Sequence, residues 1–196
     1  MQNETIAVHG GYNKKEGHGS MSVPITQTTA YAFRDSEHAA NLFALKELGP
    51  IYTRLNNPTT DVLEQRFAQL EGGAAALCVS SGQSAIFYAI ANVAKAGDNI
   101  LISDKLYGGA VTLLTHTIKR FGIEAKIFRS EDASNLEEQI DDSTRAIFFE
   151  SLSNPQIAIA DVEKIVEIAQ RNGVLTICDN TVASAALFNP IKWGVD

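Results

Sequence analysis

From residue 61 onward, short apolar runs alternate with stretches of helical character, and this alternation constrains the fold more than any other feature. Each run is apolar throughout, which is typical of strands covered on both faces. The pattern therefore predicts a mostly parallel sheet with helices on both sides, an α/β/α arrangement of three layers. The predicted strands are 75–79, 99–103, 124–128, 145–149 and 174–178. The predicted helices are 61–71, 81–93, 107–121, 134–140 and 161–171.

The first 60 residues are different, because they are polar and rich in Gly, Thr and Asn. Only 36–48 is predicted to be helical, with Ser36 as its N-cap and Gly49-Pro50 as its end. Irregular segments of this length are uncommon inside a compact domain unless they are functional or pack on something else. We therefore expect 1–60 to be an N-terminal arm that contributes to a neighbouring subunit's site, and 61–196 to be the first part of a large α/β domain.

Composition narrows the class of protein. Sixteen basic and 23 acidic residues give a net charge of −7 without a basic stripe, so no nucleic-acid partner is expected. No apolar run approaches the ~20 residues that a membrane helix needs, and the N-terminus lacks a signal-peptide pattern. Cys78 and Cys178 lie in apolar runs and are predicted to be buried core thiols in a reducing compartment. These features predict a cytoplasmic protein.

In open α/β sheets, ligands bind beyond the carboxyl ends of the strands. Ser81-Gly82-Gln83 follows the first predicted strand and opens a helix, and backbone N–H groups at such a start can bind an anion. The same residues also fit an ordinary Ser N-cap. Neither a P-loop nor a GxGxxG fingerprint is present, which favours a phosphate-bearing cofactor other than ATP or NAD.

Four other residues or pairs follow predicted strands or stand in the arm, and most of them are of types that could hold a flat, phosphorylated ring. Asp179 follows the last strand and could pair with a protonated pyridine nitrogen, or cap the next segment. Tyr107 follows another strand and could stack on a ring, or only pack. Asn154 stands in an Asn-Pro turn signal. Tyr52 and Arg54, in the arm, could clamp a phosphate, although a lone Arg is usually a solvated surface residue.

Several motifs, in this order, resemble the Cys/Met-metabolism family of enzymes that depend on pyridoxal 5′-phosphate (PLP): TIAVHGGY, VPITQTTAYAF, YTRLNNPTTDVLEQRFAQLEGGAAALCVSSGQSAI, DKLYGGA, ESLSNP and ICDNTVAS. The resemblance runs from Thr5 to Asp196. It implies the fold-type I, aspartate-aminotransferase-like architecture, PLP as the cofactor and no metal. It also implies a homodimer or homotetramer that carries out γ-replacement or γ-elimination on a homoserine-derived amino acid.

The resemblance assigns five residues to the cofactor phosphate. The backbone amides of Gly82 and Gln83 would bind it, with Ser81 in the same turn. Tyr52 and Arg54 would reach across the dimer to the phosphate of the neighbouring subunit, which would explain the irregular arm.

The resemblance assigns the remaining residues to the ring and the substrate. Tyr107 would stack on the pyridine, Asp179 would pair with its nitrogen, and Thr181 would lie beside it. Asn154 would lie near the ring hydroxyl and the substrate carboxylate. Leu152 departs from the family, which usually has proline there, and this could shift the loop that holds Asn154.

The resemblance also implies a specific reaction. Gln83 is more typical of sulfhydrylases, which make homocysteine and acetate from O-acetylhomoserine and sulfide, than of cystathionine γ-synthases or methionine γ-lyases, and those two stay as alternatives. The lysine that holds the cofactor covalently belongs to a Ser-x-Thr-Lys stretch soon after the segment equivalent to Gly194–Asp196, so we expect the chain to be incomplete at its C-terminus. An inactive dimerisation or carrier-protein-binding module is the other alternative, and a sulfur-carrier protein is a further candidate partner.

Overall fold

The structure is a computed structural model that describes residues 2–15, 17 and 19–196. The chain divides into two compact units, one up to Cys78 and one from Val79, and each is described by itself. Among the described helices, none is both long and apolar enough to cross a bilayer. The predicted use of 1–60 by a neighbouring subunit stays a prediction.

Three helices lie in the described residues of the first unit: α1 Asn3–His9, α2 Ser36–Phe43 and α3 Pro58–Glu71. Helix α1 was not predicted from the sequence, and α2 ends earlier than the predicted residue 48. The cap of α2 is Asp35 rather than Ser36, because an Asp35 carboxylate oxygen accepts from the amide of His38 at 2.7 Å. The helix ends before Leu45, whose φ of 55° is left-handed.

The predicted strand 75–79 is wrong. No described strand pairs with this segment, and the side chain of Leu77 is 74% exposed. The backbone N–H of Cys78 instead donates to a Glu64 carboxylate oxygen at 2.8 Å. An apolar run becomes a strand only when a neighbouring strand takes up its backbone hydrogen bonds. Cys78 and Cys178 are half-buried rather than buried, and neither forms a disulfide.

The second unit is built on a four-stranded parallel sheet in the order β2-β1-β3-β4. Its strands are β1 Asn99–Ser103, β2 Glu124–Phe128, β3 Thr144–Glu150 and β4 Leu175–Asp179. Its α-helices are α4 Gly82–Val93, α5 Gly108–Thr112, α6 Val162–Asn172 and α7 Ser184–Leu187. The parallel α/β architecture predicted from the alternation is confirmed.

Two apolar clusters, one on each face of the sheet, join the sheet to the helices on that face, and this gives three layers. Alternate residues of a strand point to opposite faces, so β3 contributes Phe148 to one cluster and Phe149 to the other. Phe148 belongs to the cluster that contains Ile90 of α4, whereas Phe149 belongs to the cluster that contains Ile165 of α6. All four side chains are essentially fully buried.

Two predicted helices differ in detail. The stretch predicted as 107–121 begins as α5, continues as a π-helical turn, Leu113–Thr117, and ends as a 3-10 turn, Ile118–Phe121. The predicted helix 134–140 is only a 3-10 turn, Glu137–Gln139. Ser134 does not cap it as expected, because the residue that precedes the turn is Leu136, which makes no side-chain cap bond. A last 3-10 turn, Pro190–Trp193, lies near the end of the chain.

Candidate active site

The carboxyl edge of the sheet opens into a cleft of about 300 Å³, at the low end of the range for small-molecule sites. Parallel register places the last residues of β3 and β4, Glu150 and Asp179, side by side at this edge. Seven residues predicted from the sequence line the cleft together: Ser81, Gly82, Gln83, Tyr107, Asn154, Asp179 and Thr181. Four further lining residues were not predicted: Ile86, Glu150, Leu152 and Val182.

The N-terminus of α4 forms one side of the cleft. Ser81 has extended backbone geometry, and its hydroxyl oxygen accepts from the amide of Ser84 at 3.1 Å, so it is a true N-cap. At Gly82 a Cβ atom would meet no heavy atom within 4 Å. Ser81, Gly82 and Gln83 all line the cleft, so the first turn of this twelve-residue helix borders it, and there the helix dipole favours an anion. The two interpretations of this turn, cap and anion site, are compatible.

Asp179 also lines the cleft and lies half-buried at the end of β4. Its Oδ1 accepts from the backbone N–H of Thr181 at 2.9 Å and also from the Thr181 hydroxyl. The next α-helix begins only at Ser184, so Asp179 orders a turn and does not cap a helix. Both bonds fall on Oδ1, which fixes the carboxylate plane at the mouth of the cleft.

Glu150 is the residue that the sequence analysis should have found. Its side chain is almost fully buried, and its two carboxylate oxygens accept from the backbone N–H groups of Tyr107 at 2.7 Å and Asn154 at 3.1 Å. Burial raises the pKa of Glu150, and the nearby charge of Asp179 adds to that rise, whereas the two N–H bonds oppose it. The argument applied to Asp179, a carboxylate at the end of an apolar strand, applies equally to Glu150.

Tyr107 precedes α5, and its ring is 51% exposed within the cleft lining. Gly109 makes room for it. A Cβ at Gly109 would lie 2.6 Å from Cε1 of Tyr107 and 2.8 Å from Nε2 of Gln83. Atoms do not approach this closely without displacement, so the missing side chain is what lets the Tyr107 ring and the Gln83 amide both pack against α5.

Asn154 is held by a loop that closes on itself after β3. Leu152 and Ile159 form an antiparallel bridge, and the amide of Ser153 donates to the carbonyl of Ala158 at 2.9 Å. Leu152, where the family usually has proline, is thus part of the closure of this loop. Asn154 itself is exposed and lines the cleft.

Tyr52 and Arg54 lie in the first unit, where they contact each other. The guanidinium carbon of Arg54 lies 4.9 Å from the centroid of the Tyr52 ring, within range of a cation–π contact. The backbone of Tyr52 pairs with Ala30 in an antiparallel bridge. Their predicted reach across a dimer stays a prediction.

Comparisons with known proteins place this geometry in a family. A sequence model described as Cys/Met metabolism PLP-dependent enzyme matches residues 4–196. An O-acetyl-L-homoserine sulfhydrylase from Leptospira meyeri is 47% identical over 98% of this chain and 44% of its own length. A homocysteine/cysteine synthase from Saccharomyces cerevisiae is 43% identical over 98% of this chain and 44% of its own length.

Solved structures agree. A crystal structure from Campylobacter jejuni, described as an O-acetylhomoserine (thiol)-lyase, superimposes with a TM-score of 0.97 and 56% identity, covering 100% of this chain and 48% of that one. It contains N′-pyridoxyl-lysine-5′-monophosphate at its position 205. A cystathionine gamma-lyase from Lactobacillus plantarum has a TM-score of 0.90 at 32% identity, covering 100% of this chain and 49% of that one.

The chain spans about half the length of the curated relatives that it matches. The family match nevertheless covers nearly every residue, from 4 to 196, and the structural likeness covers all of them. On this evidence, the chain belongs to the Cys/Met-metabolism family of PLP-dependent enzymes.

Proposed function

We propose that the protein converts O-acetyl-L-homoserine and sulfide into L-homocysteine and acetate, with PLP bound in the cleft at the carboxyl edge of the sheet. The observation that carries the proposal is the pairing of two complementary features around one cleft. The N-terminus of α4 favours an anion, and Asp179 adds a carboxylate to the lining of the same cleft. The names and chemistry of the sulfhydrylase relatives supply the substrates.

The chemistry of the lining suits PLP. A dianionic phosphate fits the open space before Gly82, and a cationic pyridinium fits the Asp179 carboxylate. Since Oδ1 is already taken up by Thr181, Oδ2 is the oxygen that would face a protonated ring nitrogen. The half-exposed ring of Tyr107 offers a flat apolar surface of the kind on which an aromatic cofactor stacks.

The chain's own residues then have distinct tasks. When bound, PLP supplies an electron sink that stabilises negative charge on the substrate. Asp179 keeps the proton on the ring nitrogen, and Thr181 holds Asp179 in place. The amides of Gly82 and Gln83, together with Ser81, hold the phosphate. Tyr107 stacks on the face of the ring, and Asn154 binds the substrate carboxylate.

A lysine is needed to hold the cofactor covalently and to move the proton. The cleft residues found in the described part of the chain include no lysine. We propose that this lysine lies beyond Asp196 in the full-length protein, as the modified lysine at position 205 of the Campylobacter jejuni structure suggests. Tyr52 and Arg54 would complete the phosphate site from a neighbouring subunit of a dimer or tetramer, in the cytoplasm.

The test is substrate discrimination by the full-length protein with PLP. Homocysteine formation from O-acetylhomoserine and sulfide supports the proposal. Cystathionine formation from O-acetylhomoserine and cysteine, or breakdown of methionine alone, would instead identify the γ-synthase or γ-lyase reaction. Turnover only with a thiocarboxylated carrier protein would identify that carrier as the sulfur donor. PLP binding without turnover of any substrate would favour the alternative of an inactive binding module.

The Asp179→Asn variant tests the electron-sink assignment. The amide keeps the size of the side chain and can still accept from Thr181, but it cannot hold the ring-nitrogen proton by charge. We expect turnover to fall by at least about a hundredfold, whereas Asp142→Asn, at an exposed carboxylate outside the cleft, should leave turnover unchanged. Near-normal turnover of Asp179→Asn would refute the assignment.

A further inference from the structure

Glu150 connects three parts of the second unit. It is the last residue of β3, it lies beside Asp179 in the strand register, and its side chain is almost fully buried. One carboxylate oxygen accepts from the amide of Tyr107, and the other accepts from the amide of Asn154. A single buried side chain therefore joins the segment before α5 and the loop after β3 to the sheet.

The two amides belong to residues that line the same cleft. We propose that Glu150 is a positioning residue, whose carboxylate sets the separation between the Tyr107 ring and the Asn154 side chain and so shapes the cleft for the cofactor. This role rests on the proposed function, because PLP is the molecule that both residues would contact. Glu150 itself acts through the backbone of its two partners.

The chemistry of the bridge requires a carboxylate of this length. Both partners are N–H donors, so the side chain must present two acceptors, and an ionised carboxylate does so with charge-assisted bonds. Glutamine has only one acceptor, and its NH₂ group would face an N–H donor. Aspartate keeps two acceptors but is shorter by one methylene group, and it cannot span bonds of 2.7 and 3.1 Å without moving a loop.

Asp98 provides a matched control. It is also a buried carboxylate, and it accepts from the amide of Lys95 at 2.9 Å and from the Arg145 guanidinium at 3.0 Å. It directly precedes β1, so it lies at the amino edge of the sheet, away from the cleft. The Asp98→Asn substitution therefore removes one buried charge without touching the lining.

The experiment measures two quantities in the full-length protein: hydrogen exchange of peptides spanning 106–110 and 151–155 in the PLP-free form, and the dissociation constant of PLP. For both Glu150→Gln and Glu150→Asp we expect exchange at the amides of Tyr107 and Asn154 to accelerate about tenfold and PLP to bind about tenfold more weakly, which corresponds to about 1.4 kcal/mol. Asp98→Asn should leave both quantities at the wild-type level.

Three results would overturn the inference. The first is wild-type exchange in Glu150→Gln, and the second is wild-type PLP affinity despite faster exchange. The third is an equal loss of PLP affinity in Asp98→Asn, which would make the effect one of general stability. Failure of the proposed function is distinguishable, because homocysteine formation is measured separately. A wild-type protein that bound PLP without making homocysteine would still report both quantities, and one that bound no PLP would still report the bridge by exchange.

Discussion

Asn57 makes a tertiary connection that reaches beyond its role as a helix cap. Its Oδ1 accepts from the amide of Thr59 at 2.9 Å, which caps α3. Its Nδ2 donates to the carbonyl of Thr26 at 2.9 Å and to the hydroxyl of Thr53 at 3.2 Å. The side chain is buried, with Asn57 only 5% exposed. Replacing Asn57 with alanine removes all three bonds.

The expected cost follows from these contacts. Loss of the cap costs about 1 kcal/mol, and loss of the two Nδ2 bonds adds about 1 kcal/mol or slightly more, because the Thr53 bond is long and Thr26 is only half-buried. We therefore expect Asn57→Ala to lower the free energy of unfolding by about 2–3 kcal/mol. Asp35→Ala, which removes a single exposed cap bond from α2, should cost about 1 kcal/mol.

Urea denaturation followed by far-ultraviolet circular dichroism measures both variants. The difference between them isolates the tertiary bonds of Asn57, since each variant also loses one cap. If Asn57→Ala cost no more than Asp35→Ala, the bonds to Thr26 and Thr53 would contribute nothing and the reasoning would be refuted. Thr53 lies between Tyr52 and Arg54, so a loosened Thr53 should also weaken any phosphate contact that these two residues make.

Two further predictions concern the cleft and the acid response. Gly109→Ala should weaken PLP binding, because the new Cβ would displace the Tyr107 ring or the Gln83 amide. At Gly108 a new Cβ would meet nothing within 4 Å, so Gly108→Ala should bind PLP normally. Equal PLP affinities of the two variants in a fluorescence titration would contradict this. The pKa of Asp98 is lowered, chiefly by the Lys95 amide, so its contribution to stability is present above its ordinary pKa of about 4 and is lost as the pH falls below it. Urea denaturation between pH 6 and pH 3 should therefore show a shallower loss of stability for Asp98→Asn than for the wild type, and parallel curves would exclude this contribution.

The sheet was predictable because one pattern, a short strand-like run followed by a helical stretch, recurs along the chain. The central strands β1 and β3 are apolar runs buried along their length, and β1 and β2 were predicted at their observed bounds, although β2 is an edge strand with charged residues. The run 75–79 carries the same local signal but has no described strand beside it. Local sequence cannot report whether a neighbour exists, and this is why that strand was predicted wrongly.

The residues of the cleft were predictable for a different reason. Parallel strands bring their carboxyl ends to one edge, so polar residues that follow strands converge wherever they stand in the sequence. Asp179 and Tyr107 were found by that logic. Glu150 was missed because the predicted strand ended at 149, whereas in the structure Glu150 closes the strand and one of its two partners, Tyr107, is distant in sequence. The caps Ser81 and Asp161 were predicted correctly, whereas the start of α3 was placed three residues late because several adjacent polar residues could each have served as the cap.

The loop that follows β3 has a mechanical consequence. Its ends are joined where the amide of Ala160 donates to the carbonyl of Ser151 at 3.2 Å, and the Ser153 hydroxyl accepts from the amide of Ala158 at 3.0 Å. A segment closed in this way holds its own shape, and the Glu150 carboxylate that accepts from the Asn154 amide ties it to the end of β3. A substitution that broke this closure would therefore displace Asn154 from the cleft even if it replaced no lining residue.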